Sequence, residues 1–273
     1  MNTPTPNAAR YDLHLHTDRS DGNLSVEALI TQCAQYRLDT IAITDHDFVS
    51  VPATHTRDID GRKITVVAGA EMTGSHDGHE YHLLVYFPAE VPASFLAFCA
   101  GQTKARLQRI TETMKTLDFE DPKLLDDDAL QGKRSLTRHN LAKALVASGR
   151  ERSLHTAFNG PLRNRSGLVP TFPTTFTEVI SQSAKCGGIT VWAHPPLTAV
   201  EAHLDTFVAA GLHGLEAIRP GHNRRTRKTL RRAADKHGLV VSGGSDWHGW
   251  HSRPGLFYAR TNEIEGLVAL LQG

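Results

Sequence analysis

The chain has 273 residues with 30 Lys and Arg against 29 Asp and Glu, so no global field draws it to nucleic acid or to a membrane surface. Its 40% hydrophobic content can fill one large α/β domain with an insertion, but two full domains are not expected. Cys33, Cys99 and Cys186 form no CxxC pair, which argues against a disulfide framework or a thiolate zinc site and fits a reducing, cytoplasmic setting. Residues 1–10 are polar and Pro-rich without a signal-like apolar core, and no apolar run reaches membrane-spanning length, so a soluble, unexported protein is expected.

Residues 11–16 read as a short strand in which His14 and His16, two apart, present both imidazoles to one side. Ser25 then caps a helix with Val26, Leu29, Ile30 and Cys33 at helical spacing. A buried strand over 40–44 ends in Asp45-His46-Asp47, one over 64–70 ends at Glu71, and one over 81–87 carries His82. From 92 to 170 the β/α rhythm gives way to helical pattern, with an acidic run at 126–128 and a helix over 136–148 stopped by Gly149. This segment is expected to be a helical insertion over the mouth of a barrel built from 1–91 and 171–273. The rhythm resumes with a helix over 177–185, a strand over 189–193 delivering His194, a helix to Ala210 and a strand over 214–218. A basic helix over 224–237, a strand over 239–242 leading to Asp246, and a closing helix over 263–271 complete the chain. The basic helix lacks stacking aromatics, so it reads as a solvated amphipathic face rather than a nucleic-acid stripe.

Asp246 and His248 repeat at the far end of the chain the spacing of His14 and His16. In a closed barrel the first and last strands are neighbours, so the two pairs are expected to share one pocket. Between them stand Asp21, His46, Glu71, His82 and His194, most of them at strand ends. Any one of these is an ordinary core or surface residue; their recurrence is what points to metal. Imidazoles and carboxylates without thiolates suit Mn, Zn or Fe in a hydrolytic site, and nine donors exceed the needs of one ion. His82 is preferred over His76 and His79 because it lies in the apolar run rather than in the Gly-containing turn.

These segments, taken in order, resemble the PHP (polymerase and histidinol phosphatase) family of phosphoesterases. The resemblance rests on His14-Leu15-His16-Thr17 with Ser20-Asp21-Gly22, Ile43-Thr44-Asp45-His46-Asp47, Gly69-Ala70-Glu71, Tyr81-His82, Ala193-His194-Pro195 and Gly244-Ser245-Asp246-Trp247-His248. It implies a distorted (β/α)7 barrel with two or three divalent ions at its mouth. The first ion would take His14, His16, Glu71 and Asp246; the second would share Glu71 and add His82 and His194; the third would use Asp21, His46 and His248. Asp21 stands where some members carry His, and its oxygen donor biases the third site toward Mn or Fe.

The same resemblance implies a substrate class. Leu136-Thr137-Arg138-His139 is similar to the segment that overhangs the metals in the nucleotide-cleaving and 5'-3' exoribonuclease branch, which would set Arg138 on a phosphate oxygen. The segment 214–222 is similar to a strand whose trailing histidine reaches the phosphate, which gives His222 a role in binding or in protonating the leaving group, and lets Arg219 reach a second phosphate. Asp45 could orient a ligand, accept a proton or cap a turn. The expected reaction is hydrolysis of a phosphomonoester of a small nucleotide, such as a nucleoside 3',5'-bisphosphate, or of the 5' end of a short oligonucleotide, by a hydroxide shared between two metals. A cyclic phosphodiesterase and a sugar- or histidinol-phosphate phosphatase are the alternatives. An amidohydrolase is disfavoured by the Asp246-x-His248 pair, and a non-catalytic PHP module by the intact ligand set.

Overall fold

In the computed structural model, which describes residues 9–163, 166–249 and 252–273, β1 (Arg10–Leu15) pairs in parallel with β2 (Thr40–Ile43). Between them α1 (Val26–Gln35) makes the crossover; the Ser25 side chain accepts from the Ala28 amide, and Leu29, Ile30 and Cys33 form its buried face. The polar stretch 1–8 lies outside the described residues.

After β2 the expected alternation breaks. No helix precedes the next barrel strand: β3 (His55–Ile59) runs antiparallel to β4 (Arg62–His76), which itself pairs in parallel with β2. The strand expected to end at Glu71 continues to His76, and β5 (His79–Phe87) returns beside it antiparallel. The cause is local. Asp77 and Gly78 take φ values of 48° and 71°, the left-handed pair that a two-residue hairpin turn requires. His82 therefore lies opposite Thr73, two residues past Glu71, and shares the inner face of the sheet with it.

Residues 92–170 hold α2 (Ala93–Thr116), α3 (Asp127–Leu130), α4 (Arg138–Ala147) and α5 (Leu154–Asn159). Asp126 of the acidic run caps α3 and pairs with Arg134. Ile110, Met114, Leu141, Leu145 and Leu162 join an apolar cluster separate from the main core, whereas Phe95 and Cys99 of α2 pack into the main core.

The remaining elements are α6 (Phe176–Lys185), β6 (Ile189–Trp192), α7 (Leu197–Ala209), β7 (Gly214–Ile218), α8 (Arg224–Lys236), β8 (Val240–Gly243), β9 (Ala259–Arg260) and α9 (Glu265–Gln272). The sheet order is β8-β7-β6-β5-β4-β2-β1-β9, with β3 off β4. Its two ends meet at the mouth, where the Asp246 amide donates to His14 O at 2.9 Å and the His16 amide to Trp247 O at 3.0 Å. The expected contact between the first strand and the stretch after β8 is thus present. Lower down, β9 occupies the edge of β1. The basic face of α8 is partly spent on the fold: Arg227 donates to His222 O and Arg231 to Glu263 O, while Leu230 and Ala234 are buried.

Candidate metal centre and substrate cleft

Glu71 is the hub of the cluster. Its Oε1 lies 3.3 Å from His14 Nε2, 3.1 Å from His82 Nδ1 and 3.0 Å from His194 Nε2. Its Oε2 lies 3.3 Å from His16 Nε2 and 3.1 Å from His46 Nδ1. Asp246 Oδ1 faces His14 and His16 Nε2 at 3.4 Å each. Beside this group, Asp21 Oδ1 is 3.3 Å from His248 Nε2 and 3.9 Å from His16 Nδ1, and its Oδ2 is 3.8 Å from His46 Nε2. All nine expected donors converge. His16 and His46 each turn one ring nitrogen to Glu71 and the other to Asp21, so they stand between the two groups.

Three sets of donor atoms lie close enough to surround an ion: His14, His16 and Asp246; His46, Glu71 and His82; and His16, Asp21, His46 and His248. The donors also fit a metal by what they lack. His14 Nε2, both nitrogens of His16, His46 Nδ1, His82 Nδ1 and Glu71 Oε2 are buried and make no hydrogen bond. An apolar-walled protein does not bury six such atoms without partners unless something else satisfies them. Their common direction into one space fits divalent cations with imidazole and carboxylate ligands.

The backbone supports the same reading. His194 and Asp246 adopt φ of 33° and 56°, a left-handed conformation that costs on the order of 1–2 kcal/mol for a residue with a side chain. Each follows a four-residue strand, and the turn aims the side chain inward.

Charge in the cluster is strongly coupled. Burial raises the Glu71 carboxyl, but His46, His14 and His82 prevail and hold it well below the usual carboxylate range. Asp21, against His46 and His248, and Asp246, against His14, are likewise held well below it despite burial. Burial lowers His82 and His248, yet Glu71 and Asp21 respectively bring them up to about 9. Burial prevails at His46, helped by the His16 and Arg106 charges against Glu71 and Asp21, and pushes it well below the usual imidazole value.

Around the donors lies a frame that the sequence did not reveal. Glu216 of β7, fully buried, faces His14 Nδ1 at 2.9 Å through Oε1 and accepts from the His194 amide at 2.7 Å through Oε2. Glu80 of β5 takes Arg109 at 2.6 Å and Arg138 at 3.2 Å, and its Oε1 lies 3.6 Å from His82 Nε2. Asp47 accepts from the Thr73 amide and pairs with Arg106 of α2, which also donates to Thr73 Oγ1. Apart from Glu80 and His82, two apart on β5, these partners come from different elements, so no spacing rule pairs them.

A cleft of about 270 Å³ opens over the cluster, lined by donors and by Glu80, Arg106, Thr137, Arg138 and His139. Thr137 caps α4 and donates to Asp21 Oδ2 at 2.9 Å, which pins the helix start to the rim. Arg138 is therefore at the cleft, as expected. Arg219 is beside it, donating to Asp246 Oδ2 at 2.9 Å. His222 is not among the lining residues; its Nδ1 faces Ala217 O at 3.1 Å. A second hollow of about 360 Å³, lined by Pro220, Trp247, Arg253 and Phe257, adjoins through Asp246 and His248. Asp45 is fully buried and accepts from Thr17 N, Thr17 Oγ1, Ser20 Oγ and Ser50 Oγ at 2.5–2.7 Å. It holds the turn between His16 and Asp21.

A family model described as the PHP domain matches residues 12–137. Over 255 residues the chain is 32% identical to the 5'-3' exoribonuclease Rnm of Escherichia coli, covering 88% of this chain and 86% of that protein. It is 29% identical over 251 residues to the 3',5'-nucleoside bisphosphate phosphatase of Chromobacterium violaceum, covering 88% and 87%. A solved structure from Bifidobacterium adolescentis, described as a metal-dependent phosphoesterase, matches with a TM-score of 0.76 at 25% identity over 98% of this chain and 97% of that one. Among the described residues no helix is long and apolar enough to cross a membrane.

Proposed function

This chain belongs to the PHP family of metal-dependent phosphoesterases, and on that premise we propose that it hydrolyses a phosphomonoester of a small nucleotide at the histidine cluster. A nucleoside 3',5'-bisphosphate or the 5' end of a short oligonucleotide is the substrate class, in keeping with the names of the relatives. The single observation that carries the reading is Glu71 at the centre of buried nitrogens that have no hydrogen-bond partner.

Two or three divalent ions, of the Mn, Zn or Fe class, fit the donor set. When bound, they would lower the pKa of a water toward neutrality and neutralise the phosphate's non-bridging oxygens. His14, His16, Glu71 and Asp246 are assigned to one ion, Glu71, His82 and His194 to a second, and Asp21, His46 and His248 to a third. His16 stands close enough to Asp21 to serve the third set as well.

The protein's own groups hold and orient the substrate. Arg138 is assigned to a phosphate oxygen, and it reaches the cleft from the first turn of α4. Glu80 keeps that guanidinium in place until an anion competes for it. A substrate extending from Arg138 past Asp246 toward Pro220 would come to Arg219, held on Asp246 Oδ2; His222, two residues beyond Pro220 but lining neither hollow, is assigned to the leaving-group side on the resemblance alone. Asp45 is assigned to positioning rather than proton transfer, since its oxygens already accept four hydrogen bonds. The helical segment 92–170 forms the wall that carries Arg138 and shields the cleft from bulk water.

The test is metal analysis of protein purified without chelator, paired with phosphate release from 3',5'-bisphosphates, 5'-phosphorylated oligonucleotides, simple monophosphates and cyclic phosphates. Release from the bisphosphate or the oligonucleotide ahead of the others is expected. Full metal loading with no turnover of either overturns the nucleotide assignment.

A further inference from the structure

At the outer end of the β4–β5 hairpin, His76, Asp77 and His203 bring a second group of ligand-type atoms together. The Nε2 atoms of His76 and His203 lie 3.8 and 3.9 Å from Asp77 Oδ2, and the three donors fall within 4.8 Å of one another. The imidazoles are mostly buried, with 21% and 20% of their side chains exposed. Packing fixes them: their rings meet edge to face at 4.7 Å, and each contacts Phe207, at 5.0 Å for His76 and 5.9 Å for His203. Asp77 is placed by its left-handed turn backbone rather than by its exposed side chain.

We propose that these three residues form a peripheral binding site for a divalent transition-metal ion of the zinc class, with water completing the coordination. Zn–N and Zn–O bonds near 2.0–2.2 Å put neighbouring donors of a tetrahedral ion roughly 3.3–3.5 Å apart. The two His–Asp77 spacings need a contraction of a few tenths of an ångström, within reach of the exposed carboxylate, and the imidazole nitrogens, within 4.8 Å of each other, must close by ring rotation. Two imidazoles select Zn, Ni or Cu over Mg or Ca, which prefer an all-oxygen shell. His76 is five residues along β4 from Glu71, roughly 17 Å of strand, so this ion would be distinct from those of the cluster.

The site has a structural consequence. Its ligands lie on the hairpin that carries Glu71 and His82 and on α7, the helix that follows His194. An ion there would tie the hairpin that carries Glu71 and His82 to the helix that follows His194. It would act as a staple behind that part of the cluster.

Zinc titration of the tag-free, metal-stripped full chain by calorimetry, beside His76→Gln and His203→Gln, tests this. Wild type is expected to bind one equivalent more than either variant, and excess zinc to raise its thermal midpoint further than theirs. Equal stoichiometry in all three chains overturns the site. Should either variant fold poorly, Asp77→Asn keeps the turn conformation and removes the charged donor. It is expected to weaken the additional equivalent at least about tenfold, and an unchanged isotherm sinks the proposal.

Discussion

Glu216 and His14 face each other at 2.9 Å with both side chains fully buried, so the carboxylate fixes which imidazole nitrogen carries the proton. In the neutral, ligating form of His14, Nδ1–H donates to Glu216 and the Nε2 lone pair faces Glu71 and Asp246. The other oxygen of Glu216 holds the His194 amide, so one carboxylate on β7 orients donors from two strands.

Glu216→Gln keeps the size of the side chain but removes the charge that supports His14. Metal affinity should fall about 10–100-fold, because the outer partner of a ligating histidine sets both its orientation and its basicity. Competition with a coloured chelator measures this directly. Unaltered affinity would mean that His14 is not a ligand.

Gly244 is required by close approach. A Cβ there would lie 2.4 Å from His14 Cβ and 2.6 Å from His14 N, so β1 or the stretch leading to Asp246 would have to move. Gly244→Ala should cost about 1–3 kcal/mol in denaturant unfolding and lower metal content as well. Gly101→Ala, on α2 with nothing within 4 Å of the added carbon, serves as the control and should do neither. If both variants retain metal and stability, the seam between His14 and Asp246 is looser than it is drawn here.

Much of the barrel was legible because short runs such as Thr40-Ile41-Ala42-Ile43 are buried on both faces and therefore uniformly apolar. The donors stood out because pairs two apart share a face. The apolar run ends near Glu71, whereas β4 continues through Thr73, Gly74 and Ser75 to the Gly-containing turn, where Asp77-Gly78 is a two-residue hairpin signal. β3 went unseen because His55-Thr56-Arg57-Asp58-Ile59 is an edge strand without an apolar run, and β9 because it has only two residues. Glu216, embedded in an apolar run, carries no local signal, since its partner His14 is 202 positions away. Such pairings are set by the fold and leave no local spacing to read.

Arg138 tests the substrate assignment. Its guanidinium lies at the cleft with Glu80 Oε1 at 3.2 Å. Arg138→Ala should lower kcat/KM on the nucleotide substrate about 10–100-fold, the worth of a charge-assisted bond to a phosphate oxygen. Metal content should stay as in wild type. Loss of metal in this variant would move Arg138 from substrate binding to the support of His82 through Glu80.

Metal loading should expel protons, and the direction follows from the raised imidazoles. Burial pulls His82 and His248 down, but Glu71 and Asp21 respectively prevail and raise both to about 9, and His14 is also held well above its usual value. A raised value means that the metal-free protein keeps these protons below about pH 9, whereas a ligating imidazole must be neutral. Each such proton makes the apparent affinity of the ion that displaces it fall about tenfold per pH unit below that value, and since His82 and His248 serve different ions, each of those two ions should lose about tenfold per unit between pH 9 and 7. Above pH 9 the dependence should flatten. Calorimetry at pH 7 in buffers of differing ionisation enthalpy counts the released protons, with two or more expected for full loading. Release of none, with metal bound, would show that His82 and His248 are not among the ligands.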